Sequence, residues 1–331
     1  MDPSLPSKPA AGGARRLEKR TAPEARPQSP ATGQTRPALV SLNWEEEDIE
    51  NRLGIFKGGR FTRVNKTFSL ILAVIASALF LWLMFVLNAG HSGFQRLGTV
   101  FVRPGNLYAT VPATLCFFWG VMVSLLKIPK INLQRKALDL AAVPQNRDFV
   151  LNEATARTVL ERMRGLVDDT RNFILLNRID RALSNLHNIG GVSDVSAILK
   201  AQAENDENVV ASSYAMIHAM IWSIPVLGFI GTVLGLSMAI GRFTSVLSVS
   251  QGAISAAEEM SRMKDHLREV TGGLSTAFET TLVGLGFALI LHLLADLVQQ
   301  RETDFLDECN DYCQAHVVSK LRTRPKEDNA Q

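Results

Sequence analysis

The chain has 331 residues, of which 47% are hydrophobic and only 20% are charged. Its 35 basic and 32 acidic residues leave a net charge of +3, which does not indicate a nucleic-acid-binding protein, and three cysteines are too few for a disulfide framework. The charges lie in a few blocks, and the apolar runs between them can cross a hydrocarbon core of roughly 30 Å as helices. This excludes a pair of soluble domains and predicts an all-helical integral membrane protein.

The amino-terminal segment, residues 1–42, is rich in proline and arginine. Its first 40 residues hold seven of the 13 prolines. Such a composition buries too little apolar surface to offset the entropy lost on ordering, so we predict a disordered arm. Residues 43–66 follow as an amphipathic juxtamembrane segment, whose basic residues would lie among lipid head groups: Lys57, Arg60, Arg63 and Lys66.

Four apolar runs predict four membrane-spanning helices. They are Thr67–Leu87, Ala109–Leu126, Tyr214–Gly241 and Leu274–Val298. The first two spans form a hairpin within residues 67–127, and the last two form a core within residues 214–298. A helical block at 128–213 separates the hairpin from the core, and a tail at 299–331 ends the chain.

The distribution of basic residues predicts the orientation in the membrane. Residues 1–66 carry 12 Lys or Arg and residues 127–213 carry 12 more, whereas the connection after the first span carries two. Basic residues are retained in the cytoplasm. We therefore expect both termini and the central block to lie in the cytoplasm of a bacterial inner membrane, and the two short connections to face outward.

Apolar residues in the central block recur at steps of three and four, with charges between them. This spacing is typical of helices that bury one face. The residues are Phe149, Val159, Leu160, Met163, Leu166, Ile174, Leu175, Ile179, Leu183 and Leu186. Because no phosphate loop, zinc site or nucleophile motif accompanies them, we interpret the block as a scaffold that packs against itself or a second copy.

Small residues mark one face of the third span. Gly228, Gly231 and Gly235 follow Pro225 at helical spacing, and Gly284 lies in the fourth span. Small residues let helix backbones approach closely in lipid, where no hydrophobic force drives helices together. We therefore interpret these five residues as helix-packing positions, either within the bundle or between subunits of an oligomer.

Polar residues occur deep in the same two spans. With a rise of about 1.5 Å per residue, Thr232 and Thr281 each lie about 15 Å below the outer surface. Glu279 and Thr280 are close to them in sequence. A glutamate at this depth must face protein or water, or be protonated. The four residues together predict a polar ion pathway, although each threonine hydroxyl could instead bond the carbonyl four residues earlier in its own helix.

The two spans resemble those of the MotA/TolQ/ExbB proton-channel family. The resemblance rests on two spacings that extend over Ala211 to Gln300: Pro225-x-x-Gly228-x-x-Gly231-Thr232-Val233-x-Gly235, and then Gly273-x-x-x-Ala277-x-x-x-Thr281-x-x-Gly284. It implies a pentamer around an ExbD/TolR/MotB-like partner with a single span, whose membrane aspartate passes protons or sodium ions. It also implies that Thr232 and Thr281 line that passage. Glu279 has no counterpart in the pattern.

Candidate metal ligands lie near the end of the chain. Cys309, Cys313 and His316 share one face of a predicted helix, but three such residues on one helix are more often packing residues, so we predict no metal and no cofactor. His292 is interpreted as an interfacial residue near the cytoplasmic end of the fourth span, with a proton-path contact as the alternative.

These observations predict an ion-conducting subunit without catalytic activity, which converts an ion gradient into mechanical work or protein transport through its partner. The alternative is a non-conducting scaffold that docks a cytoplasmic or membrane partner. A scaffold has no need of hydroxyl and carboxyl groups at mid-membrane depth, and the two functions therefore differ in the polar lining.

The predicted topology can be tested by cysteine-accessibility labelling in whole cells. Cysteines introduced at Gly98 and Ser255 should react with an impermeant reagent from outside, and those at Gln145 and Ala330 should react only after the membrane is opened. A cytoplasmic residue 255 would exclude the four-span topology.

Overall fold

The computed structural model describes residues 42–52, 59, 61–90, 95–140, 142–146, 149–184, 186, 192–248 and 256–322. Over these ranges the regular structure is helical, and the pairing of extended backbone is limited to two isolated bridges, Leu42 with Val167 and Leu151 with Leu321. The predicted disordered arm lies outside the described residues, apart from residue 42.

Nine α-helices occur in the described part of the chain. They are α1 (Trp44–Glu47), α2 (Ile49–Arg52), α3 (Lys66–Ala89), α4 (Gln95–Val102), α5 (Leu107–Asp139), α6 (Glu153–Leu166), α7 (Ile174–Ser184), α8 (Val192–Ser248) and α9 (Ala256–Cys313). A 3₁₀ turn at Thr170–Asn172 precedes α7, and a π-helical turn at Gln314–Val318 follows α9.

Four of these helices, α3, α5, α8 and α9, are long and apolar enough to cross a membrane. Each contains one of the four predicted spans. Helix α3 begins at an Asn65 cap, whose side chain accepts hydrogen bonds from the Thr67 and Phe68 amides. Large apolar side chains on these helices are exposed in the isolated chain, as at Leu79 and Leu282, which suits contact with lipid or with another subunit.

Helices α8 and α9 extend far beyond the predicted spans. Much of the predicted connection between the third and fourth spans is helical, because α8 continues to Ser248 and α9 already begins at Ala256. Charged residues after Gly241 end the apolar run that can lie in a membrane, but they do not exclude helical structure. The first turns of α9 contain Glu, Met, Lys, Leu and Arg, which are good helix formers. The predicted position Ser255 lies outside the described residues.

The hairpin packs on the fourth span through aromatic rings and one close contact. Phe117 of α5 stacks on Phe287 of α9 with 4.3 Å between ring centroids. Gly120 lies directly beneath Leu291, and a methyl group at residue 120 would come within 2.5 Å of the leucine side chain. Helix α5 therefore fits α9 closely along this stretch.

The short helix α4 lies against α3 on the connection between the first two spans. Gly98 is buried there, and a side chain at residue 98 would come within 2.6 Å of the Asn88 nitrogen. A cysteine at this position would therefore disturb the contact. The neighbouring Leu97 is 53% exposed and is the better position for the labelling experiment.

Helix α7 packs against α5, α8 and α9, and α6 packs against α7, around a large apolar core. Most of the residues in the predicted helical pattern are buried, including Met163, Ile174 and Ile179, whereas Phe149 and Leu160 are only partly buried. A buried ion pair joins α7 to α8, with 2.7 Å between Arg178 Nε and Asp206 Oδ2. Such a pair fixes the orientation of the two helices, because removing either partner leaves an unpaired buried charge.

The juxtamembrane segment is held by a second buried cluster. Lys130 of α5 contacts Glu50 at 2.7 Å and Asp48 at 3.3 Å. Burial raises the pKa of Asp48, although the nearby Lys130 ammonium opposes that effect. The predicted juxtamembrane segment thus places two carboxylates inside the fold.

The closest contact between two spanning helices joins α8 to α9. Gly228 faces Gly284, and a methyl group at residue 228 would lie 3.0 Å from the Thr280 carbonyl oxygen and 3.3 Å from the Gly284 Cα. At residue 235 it would lie 2.8 Å from the Gly273 carbonyl oxygen and 2.9 Å from the Ala277 nitrogen. The structure therefore uses the glycine face for contact within one chain.

This contact predicts a large effect of one methyl group. Gly235→Ala should destabilise the subunit by about 1–3 kcal/mol, because the added carbon meets backbone atoms that cannot rotate away. The control is Gly241→Ala, since a methyl group there meets nothing within 4 Å. Thermal unfolding of both variants in the same detergent measures the difference. Equal melting temperatures would show that α8 and α9 are not held together at Gly235.

Candidate functional site

The two mid-membrane threonines lie against each other. Thr232 of α8 and Thr281 of α9 share a hydrogen bond between their hydroxyl groups, just beside the glycine contact. The glycines allow this approach, because larger residues at 228 and 235 would force the helices apart. Residues 49 positions apart in sequence thus form a single polar pair.

The Ala277 carbonyl is the shared acceptor of this pair. Thr232 Oγ1 lies 3.0 Å from it across the helix contact, and Thr281 Oγ1 lies 3.2 Å from it within α9. Thr232 also lies 3.4 Å from the Gly228 carbonyl, which is the local bond weighed as the alternative in the sequence analysis. Each hydroxyl has one hydrogen, so these acceptors are alternatives: each threonine has a carbonyl acceptor in its own helix, and either hydroxyl can instead donate to the other.

The threonine pair is half-buried in an apolar face. Phe229 and Val233 on α8, and Phe278 and Leu282 on α9, are exposed around it in the isolated chain. Two hydroxyls surrounded by apolar side chains would be poorly solvated in lipid. This surface therefore suits a partner that brings a polar group.

Thr280 lies on a different face from Thr281. It is buried, and its hydroxyl donates to the Thr276 and Ala277 carbonyls at 3.1 and 3.2 Å. Its side chain packs over Gly231, where an added methyl group would lie 2.6 Å from Thr280 Oγ1 and 2.8 Å from the Ala109 Cβ. Thr280 thus shares the Ala277 carbonyl with the Thr232–Thr281 pair, but its side chain lies on the buried side, against Gly231.

Glu279 forms a separate polar cluster beside the connection between the first two spans. Its carboxylate contacts Arg103 Nη1 at 3.1 Å and accepts hydrogen bonds from Asn106 Nδ2 at 2.9 Å and Ser275 Oγ at 2.8 Å. Of the options the sequence left open for this glutamate, facing protein is the one observed. The cluster ties the connection between the first two spans to the fourth span.

The sequence analysis missed Arg103 and Asn106. Both lie between α4 and α5, in the connection between the first two spans. A carboxylate in an apolar run requires a counter-charge, and Arg103 is one of only two basic residues between the first two spans. That signal was present in the sequence, but it does not specify which cation is within reach.

A groove between α8 and α9 extends from the threonine level toward the central block. It has a volume of about 560 Å³ and is lined by Trp222, Pro225 and Leu285, with His218 and His292 at its far end. His292 Nε2 lies 3.6 Å from Asp296 Oδ2. Pro225 is accommodated without ending α8, so it lines this groove inside a continuous helix.

The cysteines at the end of α9 are packing residues. Cys309 and Cys313 are buried, and desolvation raises the pKa of both thiols, which disfavours the thiolate form that binds metal. Among the residues that the structure describes, no group of His, Cys, Asp and Glu has the arrangement needed to hold a metal ion.

The family model that matches this chain is that of the MotA/TolQ/ExbB proton channel family, over residues 171–310. The match contains α7, α8 and nearly all of α9, and with them both threonines and the four glycines of the α8–α9 contact. No curated protein and no solved structure matches the chain. The resemblance seen in the sequence is confirmed, and with four apolar helices the chain is a multi-pass membrane protein.

The contribution of the Arg103–Glu279 contact to stability can be tested with a double-mutant cycle. Arg103→Gln and Glu279→Gln should each lower the melting temperature, and the coupling between them should be about 1 kcal/mol, because both side chains keep some contact with solvent. The exposed pair of Arg157 and Glu153 within α6 is the control, with an expected coupling near zero. Additive effects at residues 103 and 279 would show that the contact does not stabilise the subunit.

Proposed function

We propose that this chain is the ion-conducting subunit of an inner-membrane complex that converts a proton or sodium gradient into mechanical work. The single observation that carries the proposal is the Thr232–Thr281 pair, two hydroxyls in contact within an exposed apolar face at mid-membrane depth. The match of residues 171–310 to a proton channel family supports it. The chain has no catalytic chemistry of its own under this proposal.

The partner is a single-span protein of the ExbD/TolR/MotB kind with a membrane aspartate. A charged carboxylate in a low-dielectric environment requires hydrogen-bond donors. Either hydroxyl can rotate from the Ala277 carbonyl toward the arriving carboxylate, and a bond to a charged acceptor is stronger than a bond to a neutral carbonyl. When the aspartate is protonated, the hydroxyls return to Ala277.

Several copies of the subunit surround the partner, with both termini in the cytoplasm. The exposed apolar faces of α8 and α9 would be covered by neighbouring copies, by the partner and by lipid. Nucleic acid has no part in this function. Glu279 acts at the outer approach to the threonine pair, because its cluster with Arg103 lies two residues along the helix from Thr281, toward the outer end.

The test is gradient-driven proton uptake into liposomes that contain the subunit with its partner. Thr232→Val and Thr281→Val conserve side-chain volume and remove only the hydroxyl. Loss of a hydrogen bond to a charged group costs about 1.5–3 kcal/mol, so uptake should fall about tenfold to a hundredfold. Oligomer content should stay unchanged.

The control for this experiment is Thr280→Val. It makes the same chemical change one residue away, on the buried face that contacts Gly231, and should leave uptake at the wild-type level. Wild-type uptake in both Thr232→Val and Thr281→Val would exclude the conducting function and favour a scaffold that only docks a partner. An equal loss in all three variants would show that packing, and not the polar pair, was being measured.

A further inference from the structure

A cavity of about 290 Å³ lies where the first, second and third spans meet near their cytoplasmic ends. Its polar side is formed by Arg63, Lys66, Lys127, Ser69, Ser212 and Ser213. Part of this lining precedes residue 171, outside the segment matched by the family model. The proton pathway proposed above does not use any of these residues.

The cavity carries excess positive charge. Its described lining contains three cations and no carboxylate. The positive charge of Lys127 is balanced by Glu302, because the Lys127 ammonium contacts Glu302 Oε2 at 2.8 Å. Tyr214 donates a hydrogen bond to the same oxygen at 2.7 Å. Arg63 and Lys66 remain as the two charges that face the cavity, and both are exposed.

Hydroxyl groups complete the polar side. Arg63 Nη2 donates to Ser212 Oγ at 3.4 Å, and Lys127 Nζ donates to Ser213 Oγ at 2.8 Å. The long side chains of Arg63 and Lys127 thus each contact a serine on α8. The hydroxyls of the three serines donate to backbone carbonyls of their own helices, so the guanidinium and ammonium groups are the donors that can bind a phosphate.

The remaining wall of the cavity is apolar. Val64, Val123 and Met216 face the same space as the cations. Lys66 is the first residue of α3, so the cationic rim lies at the membrane surface and the apolar wall continues toward the hydrocarbon layer. A free phosphate would use only the rim, whereas a phospholipid would use both the rim and the wall.

We propose that this cavity binds the head-group phosphate of an anionic phospholipid from the cytoplasmic leaflet. The phosphate lies between Arg63 and Lys66, and the glycerol and upper acyl chain lie against Val64, Val123 and Met216. The lipid then fills the space between the first and third spans, both of which pack on α5. It joins the hairpin of the first two spans to the helix that carries Thr232.

The test measures lipid binding by the purified, delipidated full chain in a neutral detergent. Native mass spectrometry should show that phosphatidylglycerol is retained at least about tenfold more tightly than zwitterionic phosphatidylethanolamine, since each basic residue near the surface adds to the attraction for anionic lipid. The same lipid should raise the melting temperature. Inorganic phosphate at millimolar concentration tests whether a free anion is enough, and it should not raise the melting temperature.

The decisive variant is Arg63→Gln with Lys66→Gln, which should lose this preference. Its control, Arg157→Gln with Lys200→Gln, removes the same charge from exposed cytoplasmic positions outside the cavity and should keep it. If the double variant fails to fold, Lys66→Gln alone should weaken retention severalfold. Equal retention of the two lipids by the wild type, an equal loss in the control, or stabilisation by inorganic phosphate alone would overturn the proposal.

Discussion

Close backbone contact between α8 and α9 is the constraint on which the rest of this structure depends. In lipid there is no hydrophobic force to hold two apolar helices together, so their association relies on dispersion contacts and hydrogen bonds at short range. Gly228, Gly235 and Gly284 permit that range because they place no carbon between the backbones. The Thr232–Thr281 contact exists only at this separation, since the threonine hydroxyl is too short to bridge a wider gap.

The polar groups of the membrane helices lie at three levels, and the levels differ in how charge is balanced. Beside the connection between the first two spans Glu279 is paired with Arg103, and farther along α9 Glu302 is paired with Lys127. Between them the threonine pair offers hydroxyls without charge. The two carboxylates are thus balanced within the chain, and the threonine level between them carries no charge of its own.

The first two spans and the family-matched segment form one bundle through contacts of different kinds. At one end of the bundle the Arg103–Glu279 pair joins them, and farther along α9 the Phe117–Phe287 stack does so. Near the opposite end the Lys127–Glu302 pair makes the same connection and leaves a cationic cavity beside it. The cavity thus lies at the junction of the hairpin with helix α8, where a bound lipid would act on both.

By itself the sequence determined the helical class, the four spans and the threonine positions, because these follow from local properties. Apolar run length, helical spacing and the cost of polar groups in lipid can be evaluated without knowing which helices are neighbours. Only the tertiary structure decided which faces meet. It turned Thr280 away from Thr281, assigned the glycine face to contact within one chain, and paired Glu279 with Arg103 and Lys127 with Glu302. The physical reason is that such pairings depend on the rotation and axial position of each helix, which are set by the packing of all its neighbours together.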